Sequence, residues 1–213
     1  FYKEAIANGI KPILGCEVYT AKTTIFDKND RELGHLILLA ENNEGYKNLM
    51  KIVSKGYTQG FYYKPRVDKE ILRKHSKGII ALSACIIGEV QKKLKQGNYE
   101  GAKKEALELL DIFGEGNFFL EVQDHGLEEQ HLIDAGMQRL HLETGIPFVA
   151  TNDVHYVKKE DAKWHDILLC IQTGARVSDA ERMRFPNDEF YLKSPKEMQI
   201  LFSRFEGAFE NTR

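Results

Sequence analysis

Apolar positions along the chain fall into short, nearly continuous runs, separated by stretches whose hydrophobic residues recur every three or four positions. The runs read as buried strands and the intervening stretches as amphipathic helices. Strands are predicted over Ile10–Tyr19 (IKPILGCEVY), Gly34–Ala40 (GHLILLA), Gly78–Ser83 (GIIALS) and Asn117–Gln123 (NFFLEVQ). A further strand opens Ile146–Tyr156 (IPFVATNDVHY), and a short one is expected at Phe190–Lys193. Helices are predicted over Phe1–Ala7, Asn42–Lys55, Asp68–His75, Ile87–Lys95, Tyr99–Phe113, Glu128–Glu143 and Glu160–Thr173, with more after Pro195. In Asn42–Lys55 the spacing places Tyr46, Leu49, Met50 and Val53 on the apolar face. Thr20–Leu33 reads as a polar surface excursion or hairpin, and Gly56–Arg66 as an aromatic, basic loop.

Strands that are apolar throughout and alternate with helices predict an α/β fold with a mainly parallel, helix-covered sheet, as one domain. A (β/α) barrel is favoured over a doubly wound sheet because polar candidates stand at or beside the ends of several strands. His35 precedes its apolar run, so it must enter such a site from a hairpin or a reversed strand. The strands visible here are too few to close a barrel. The chain opens at Phe1 without a methionine, so an excised piece of a longer protein is expected.

Composition narrows the chemistry. The formal charge of −2 gives no global positive field of the kind a dedicated nucleic-acid-binding module carries, though an enzyme acting on phosphodiesters is compatible with it. Lys92, Lys93, Lys95, Lys103 and Lys104 suit a solvated helix face. Three widely spaced cysteines, Cys16, Cys85 and Cys170, fit a reducing cytoplasm, and no run is long enough to span a membrane.

The candidate chemistry centres on the end of Ile146–Tyr156. Residues two apart on an extended chain share a face, which would put Asp153 and His155 side by side as a carboxylate–imidazole pair able to bind a divalent metal. A turn in which Asn152 and Asp153 cap the next helix is the alternative. Glu17, His35 and Cys85 are further candidates, against the plain alternatives of a loop carboxylate, a core histidine and a buried thiol. His125 beside Asp124 resembles a ligand pair, but adjacent residues point to opposite faces. His165 and Asp166 fall inside a helix and are expected to pack or cap. With no G-x-S-x-G, P-loop or G-x-G-x-x-G, metal-assisted hydrolysis at phosphorus is the favoured reaction. Lys64 and Arg66 would then balance phosphate charge, with Tyr62 or Tyr63 stacking a base, unless the segment is simply an ordered surface loop.

Read in order, GCEVY (15–19), GHLILLA (34–40), EGYKNL (44–49), GFYYKPR (60–66), ALSAC (81–85), LEVQDHG (120–126), ATNDVHY (150–156), LLCIQTG (168–174) and RFPNDEFYLKS (184–194) resemble the PHP domain family of bacterial replicative DNA polymerase III alpha subunits. The resemblance implies a distorted seven-stranded β/α barrel holding up to three divalent metals, zinc and/or manganese or magnesium, at one mouth. It implies that Glu17, His35, Cys85, Asp153 and His155 are metal ligands, with Glu17 and Asp153 also catalytic, and it carries over neither His125 nor His165. The family's His-x-His and first Asp-His-Gly motifs would precede Phe1, so little or no hydrolysis is expected from these 213 residues alone. For the parent protein, the resemblance implies metal-dependent 3′–5′ exonuclease action at a DNA primer end and contact with other holoenzyme subunits. The alternatives are a silent structural domain that docks a separate proofreading subunit, and, more weakly, a phosphatase for small monoesters.

Overall fold

The computed structural model describes residues 1–29 and 31–212. They form two compact units, one of Phe1–Glu121 with Ala135–Pro147, the other of Val122–Asp134 with the chain from Phe148 onward. The element order is α1 (Tyr2–Ala7), β1 (Gly15–Ala21), β2 (Leu33–Ala40), α2 (Asn43–Thr58), β3 (Arg66–Val67), α3 (Lys69–His75), β4 (Ile79–Leu82), α4 (Glu89–Lys95), α5 (Tyr99–Phe113), β5 (Phe118–Val122), α6 (Glu128–Thr144), β6 (Phe148–Ala150), α7 (Ala162–Thr173) and α8 (Pro195–Leu201).

In the first unit the strands lie in the order β3-β1-β2-β4-β5. The β1–β3 and β4–β5 pairs are parallel, but β2 runs against both β1 and β4. The sheet is therefore mixed, which corrects the expectation of a mainly parallel one. The reason lies in the link from Ala21 to Leu33, which carries no helix among its described residues. A parallel crossover needs a long, usually helical connection, whereas an antiparallel return does not. The reversed strand is also what His35 required.

The core of this unit is built from Leu38, Ile52, Leu72, Ile79, Ala81, Phe118, Leu120, Leu140 and Ile146, all at most 1% exposed. Helix α2 begins where the Asn42 side chain accepts from the Glu44 and Gly45 amides, satisfying two orphan donors of the first turn. Its buried face is Gly45, Asn48, Leu49, Ile52 and Gly56, while Tyr46 and Met50 are exposed. The predicted face was thus rotated, because Gly45 sits against the backbone of Gly78, where an added Cβ would lie 1.7 Å from the carbonyl oxygen. Hydrophobicity alone gives no sign of this close approach. Below the sheet, Glu105 is buried between Lys69 and Lys93, at 2.5 and 2.7 Å, so its charge is compensated where water is excluded.

In the second unit, β6 is followed by a Thr151 amide that donates to the Val122 carbonyl, and the Ala150 amide donates to the Ala208 carbonyl. Phe148 packs edge-on against Phe205, and the Asn211 side chain donates to the Phe148 carbonyl. Arg204 joins Asp124 at 2.8 Å to Asp134 at 2.9 Å. The strand expected at Phe190–Lys193 reduces to a single bridge, Tyr156 with Tyr191. No described helix is long and apolar enough to cross a membrane.

Candidate functional site

In β1, Val18 and Thr20 are buried while Glu17 is exposed and Tyr19 partly so, the alternation of a strand with one face in the core. The antiparallel register sets His35 of β2 opposite Tyr19, with Glu17 opposite Ile37. Glu17 and His35 are thus diagonal neighbours on one face, within reach of long side chains. His35 Nδ1 lies 2.9 Å from Glu17 Oε1, and the Tyr19 ring stands edge-on to the imidazole at 4.8 Å. Because β4 runs against β2, with Leu82 opposite Ile37, the chain leaving β4 heads toward the His35 end of β2. Chain direction reverses there through Ser83 and Ala84, whose φ of 65° is the left-handed conformation, and delivers Cys85 to His35.

The Cys85 sulfur and then the Glu17 carboxylate raise the pKa of His35 to about 9, overcoming the opposite effect of burial. Nδ1 is itself a buried nitrogen, at ion-pair distance from the Glu17 carboxylate. A carboxylate oxygen and an imidazole nitrogen are thus held 2.9 Å apart. Ligand atoms sharing one ion at metal-ligand distances are themselves roughly 3.0–3.4 Å apart. A carboxylate, an imidazole and a thiol make a donor set suited to zinc. The fit is partial. Among the described residues, no set of three or more such side chains is already drawn together as a metal shell.

In the second unit the strand stops at Ala150, and Asp153 takes a φ of 43°, rare and strained for a residue with a Cβ. Asp153 and His155 are consequently neighbours through a turn, and the expectation that strand pleating aligns them is corrected. His155 Nδ1 lies 2.6 Å from the Asp153 carbonyl oxygen, and its amide donates to the Phe190 carbonyl. With Nδ1–H donating, the Nε2 lone pair is the one available to a metal. The turn is braced by Asn152, which is buried and donates to the Glu189 and Tyr191 carbonyls at 3.0 and 2.7 Å.

His125 is not placed to coordinate. It is 1% exposed, stacks on Phe190 at 4.0 Å, and has Nδ1 bonded to the Gln130 amide and Nε2 to the Asn152 carbonyl. His165 packs on His155 and Phe185, and Asp166 holds Arg182 in a two-pronged pair at 2.5 and 2.6 Å. His165 packs as the sequence suggested, whereas Asp166 forms an ion pair instead of packing or capping.

The two cations expected to contact substrate part company. Arg66 is 2% exposed and donates to three carbonyls, those of Gly60, Asp27 and Ile25. Its role in balancing phosphate charge is corrected: a guanidinium saturated by backbone oxygens closes the loop and does not face solvent. Lys64 is exposed, with Nζ 5.5 Å from the centre of the Tyr19 ring. Tyr63, at a φ of 60°, lies under Arg31, and Tyr62 packs edge-on to it. Tyr19, which links Lys64 to His35, was not singled out from the sequence. Its place two residues after Glu17 in a strand was the available signal.

The sequence model of the PHP domain matches residues 1–125. The whole chain is 47% identical to part of the DNA polymerase III subunit alpha of Borreliella burgdorferi, 46% to that of Treponema pallidum and 44% to that of Thermus aquaticus. The aligned region is 19%, 18% and 18% of those proteins, so the chain spans under a fifth of their length. With more than half its residues matched and a mixed α/β architecture of the PHP type, the chain belongs to the PHP domain family.

Proposed function

We propose that the chain is part of a replicative DNA polymerase alpha subunit and serves there as a metal-dependent phosphodiesterase, removing nucleotides from a primer 3′ end. The observation that carries this reading is the convergence of Glu17 and Cys85 on the His35 imidazole, whose Nδ1 lies 2.9 Å from Glu17 Oε1. A carboxylate, an imidazole and a thiol gathered at one point form a donor set that a divalent cation would share. Glu17, His35 and Cys85 in the first unit, and Asp153 and His155 in the second, would hold metal. Once bound, zinc, manganese or magnesium polarises phosphoryl oxygens and lowers the pKa of water. The residues themselves orient and neutralise. The Asp153 carbonyl fixes the His155 tautomer, Tyr19 limits rotation of His35, and Lys64 offers positive charge beside them.

Docking of other holoenzyme subunits is a second reading, favoured by the exposed apolar side chains Trp164, Leu168 and Ile171 along α7. It is compatible with the first. Metal analysis of the parent polypeptide separates them: Cys85→Ser should lower bound zinc and 3′ excision together. Undiminished excision with lost zinc would leave the ion a structural role only.

A further inference from the structure

Within the second unit lies a cavity of about 220 Å³ that the metal-ligating residues do not line. Its walls include Tyr156, Leu169, His165, Phe185, Arg184 and Asp188. This is below the ~300 Å³ at which pockets begin to accept drug-sized ligands, so it suits one flat ring system or one phosphoryl group. The lining chemistry distinguishes these. Asp166 and Asp188 both border the cavity, against the single cation Arg184. Arg182 holds both oxygens of Asp166, and Lys159 lies 3.5 Å from Asp188, so each carboxylate presents acceptor lone pairs beside a cation. Acceptors on an aromatic wall favour a ring that donates hydrogen bonds. A phosphoryl group would meet two carboxylates.

The aromatic wall also connects the cavity to His155. The His165 ring is 5.4 Å from His155 and 4.6 Å from Phe185, and Phe185 is itself 4.6 Å from His155. A nucleotide whose base filled the cavity would therefore carry its backbone close to the His155 imidazole.

We propose that this cavity holds the terminal base of a DNA strand whose adjoining phosphodiester lies at His155, and that Asp188 favours bases bearing an exocyclic amino group. The assignment rests on the phosphodiesterase reading for the position of the phosphodiester. Adenine, cytosine and guanine can donate to Asp188, and thymine lacks the amino group. Phe185 and Tyr156 supply the apolar, aromatic contact that base binding in single-strand sites uses.

Photo-crosslinking tests this in the parent polypeptide, with EDTA present so that the result does not depend on hydrolysis. A single strand tipped with 8-azidoadenine is irradiated and the adducts are mapped by mass spectrometry. Adducts are expected on residues 156–188, with dAMP competing at least about tenfold better than dTMP or abasic deoxyribose 5-phosphate. Asp188→Ala, which removes the acceptor, should erase the advantage of dAMP over dTMP, and this exposed side chain can be changed with little risk to folding. Adducts confined to other segments, or equal competition by the abasic sugar phosphate, would overturn the proposal. Adducts at 156–188 in a parent polypeptide that shows no metal-dependent 3′ excision would uphold the base site while refuting the nuclease reading.

Discussion

Glu17 and His35, on adjacent antiparallel strands, meet with 2.9 Å between carboxylate oxygen and imidazole nitrogen, and Cys85 reaches the same imidazole from the end of a third strand. The arrangement makes the metal-free protein sensitive to pH in a defined direction. The folded pKa of His35, about 9, lies above its ordinary 6.5. A proton is therefore held more tightly in the folded state, and the stabilisation is complete below pH 6.5 and lost as pH rises through about 9. Urea denaturation of the EDTA-treated chain across this range should show stability falling with rising pH. Glu17→Gln and Cys85→Ser should each flatten the slope, and an unchanged slope in both would contradict the coupling.

Arg66 stabilises the loop that bears Lys64. Replacing it with alanine strands two buried carbonyls and one part-buried carbonyl that now accept from one guanidinium. At ~1–3 kcal/mol for each buried group left unsatisfied, a loss of about 3 kcal/mol or more is expected. Lysine should restore little of it, since a single ammonium lacks the planar fork. Denaturant midpoints measure the effect, and a loss below ~1 kcal/mol for Arg66→Ala would show that the carbonyls find water.

Gly45→Ala should destabilise despite alanine's advantage in helices. Propensity favours alanine by ~1 kcal/mol. The new methyl would nevertheless lie 1.7 Å from the Gly78 carbonyl oxygen, so α2 must move off the Gly78 turn. Overpacking of this kind costs ~1–3 kcal/mol, and a net loss is expected in thermal unfolding. A raised Tm would mean that the helix shifts without penalty.

Much of the architecture was legible in the apolar pattern. Tyr99–Phe113 was read with its observed limits, and β2, β4 and β5 within a residue or two at each end, because long helices and fully apolar strands carry strong periodic signals. Strand direction was less legible, since β2 is as apolar as a parallel strand and its reversal depends on the short link before it. The buried face of α2 was misread because Gly45 counts as neutral in a hydrophobic pattern while it is a point of closest approach. Likewise, Arg66 looks like a surface cation until the loop carbonyls around it are in view. Glu17, His35 and Cys85 were legible as candidates from their places at or beside strand ends, and the antiparallel register supplies the physical reason that Glu17 and His35 meet. The turn at Asp153 was not readable from alternation, because a left-handed residue breaks the rule on which alternation rests.

The most direct measurement is the 3′ excision of a mismatched primer end by the parent polypeptide carrying Asp153→Asn, with its metal content determined on the same sample. The substitution keeps shape and removes charge, so metal-dependent excision should fall by about a hundredfold or more, as for loss of a group acting at the reacting phosphate. Excision at the unsubstituted rate, with metal still bound, would contradict the assignment of Asp153 to the site.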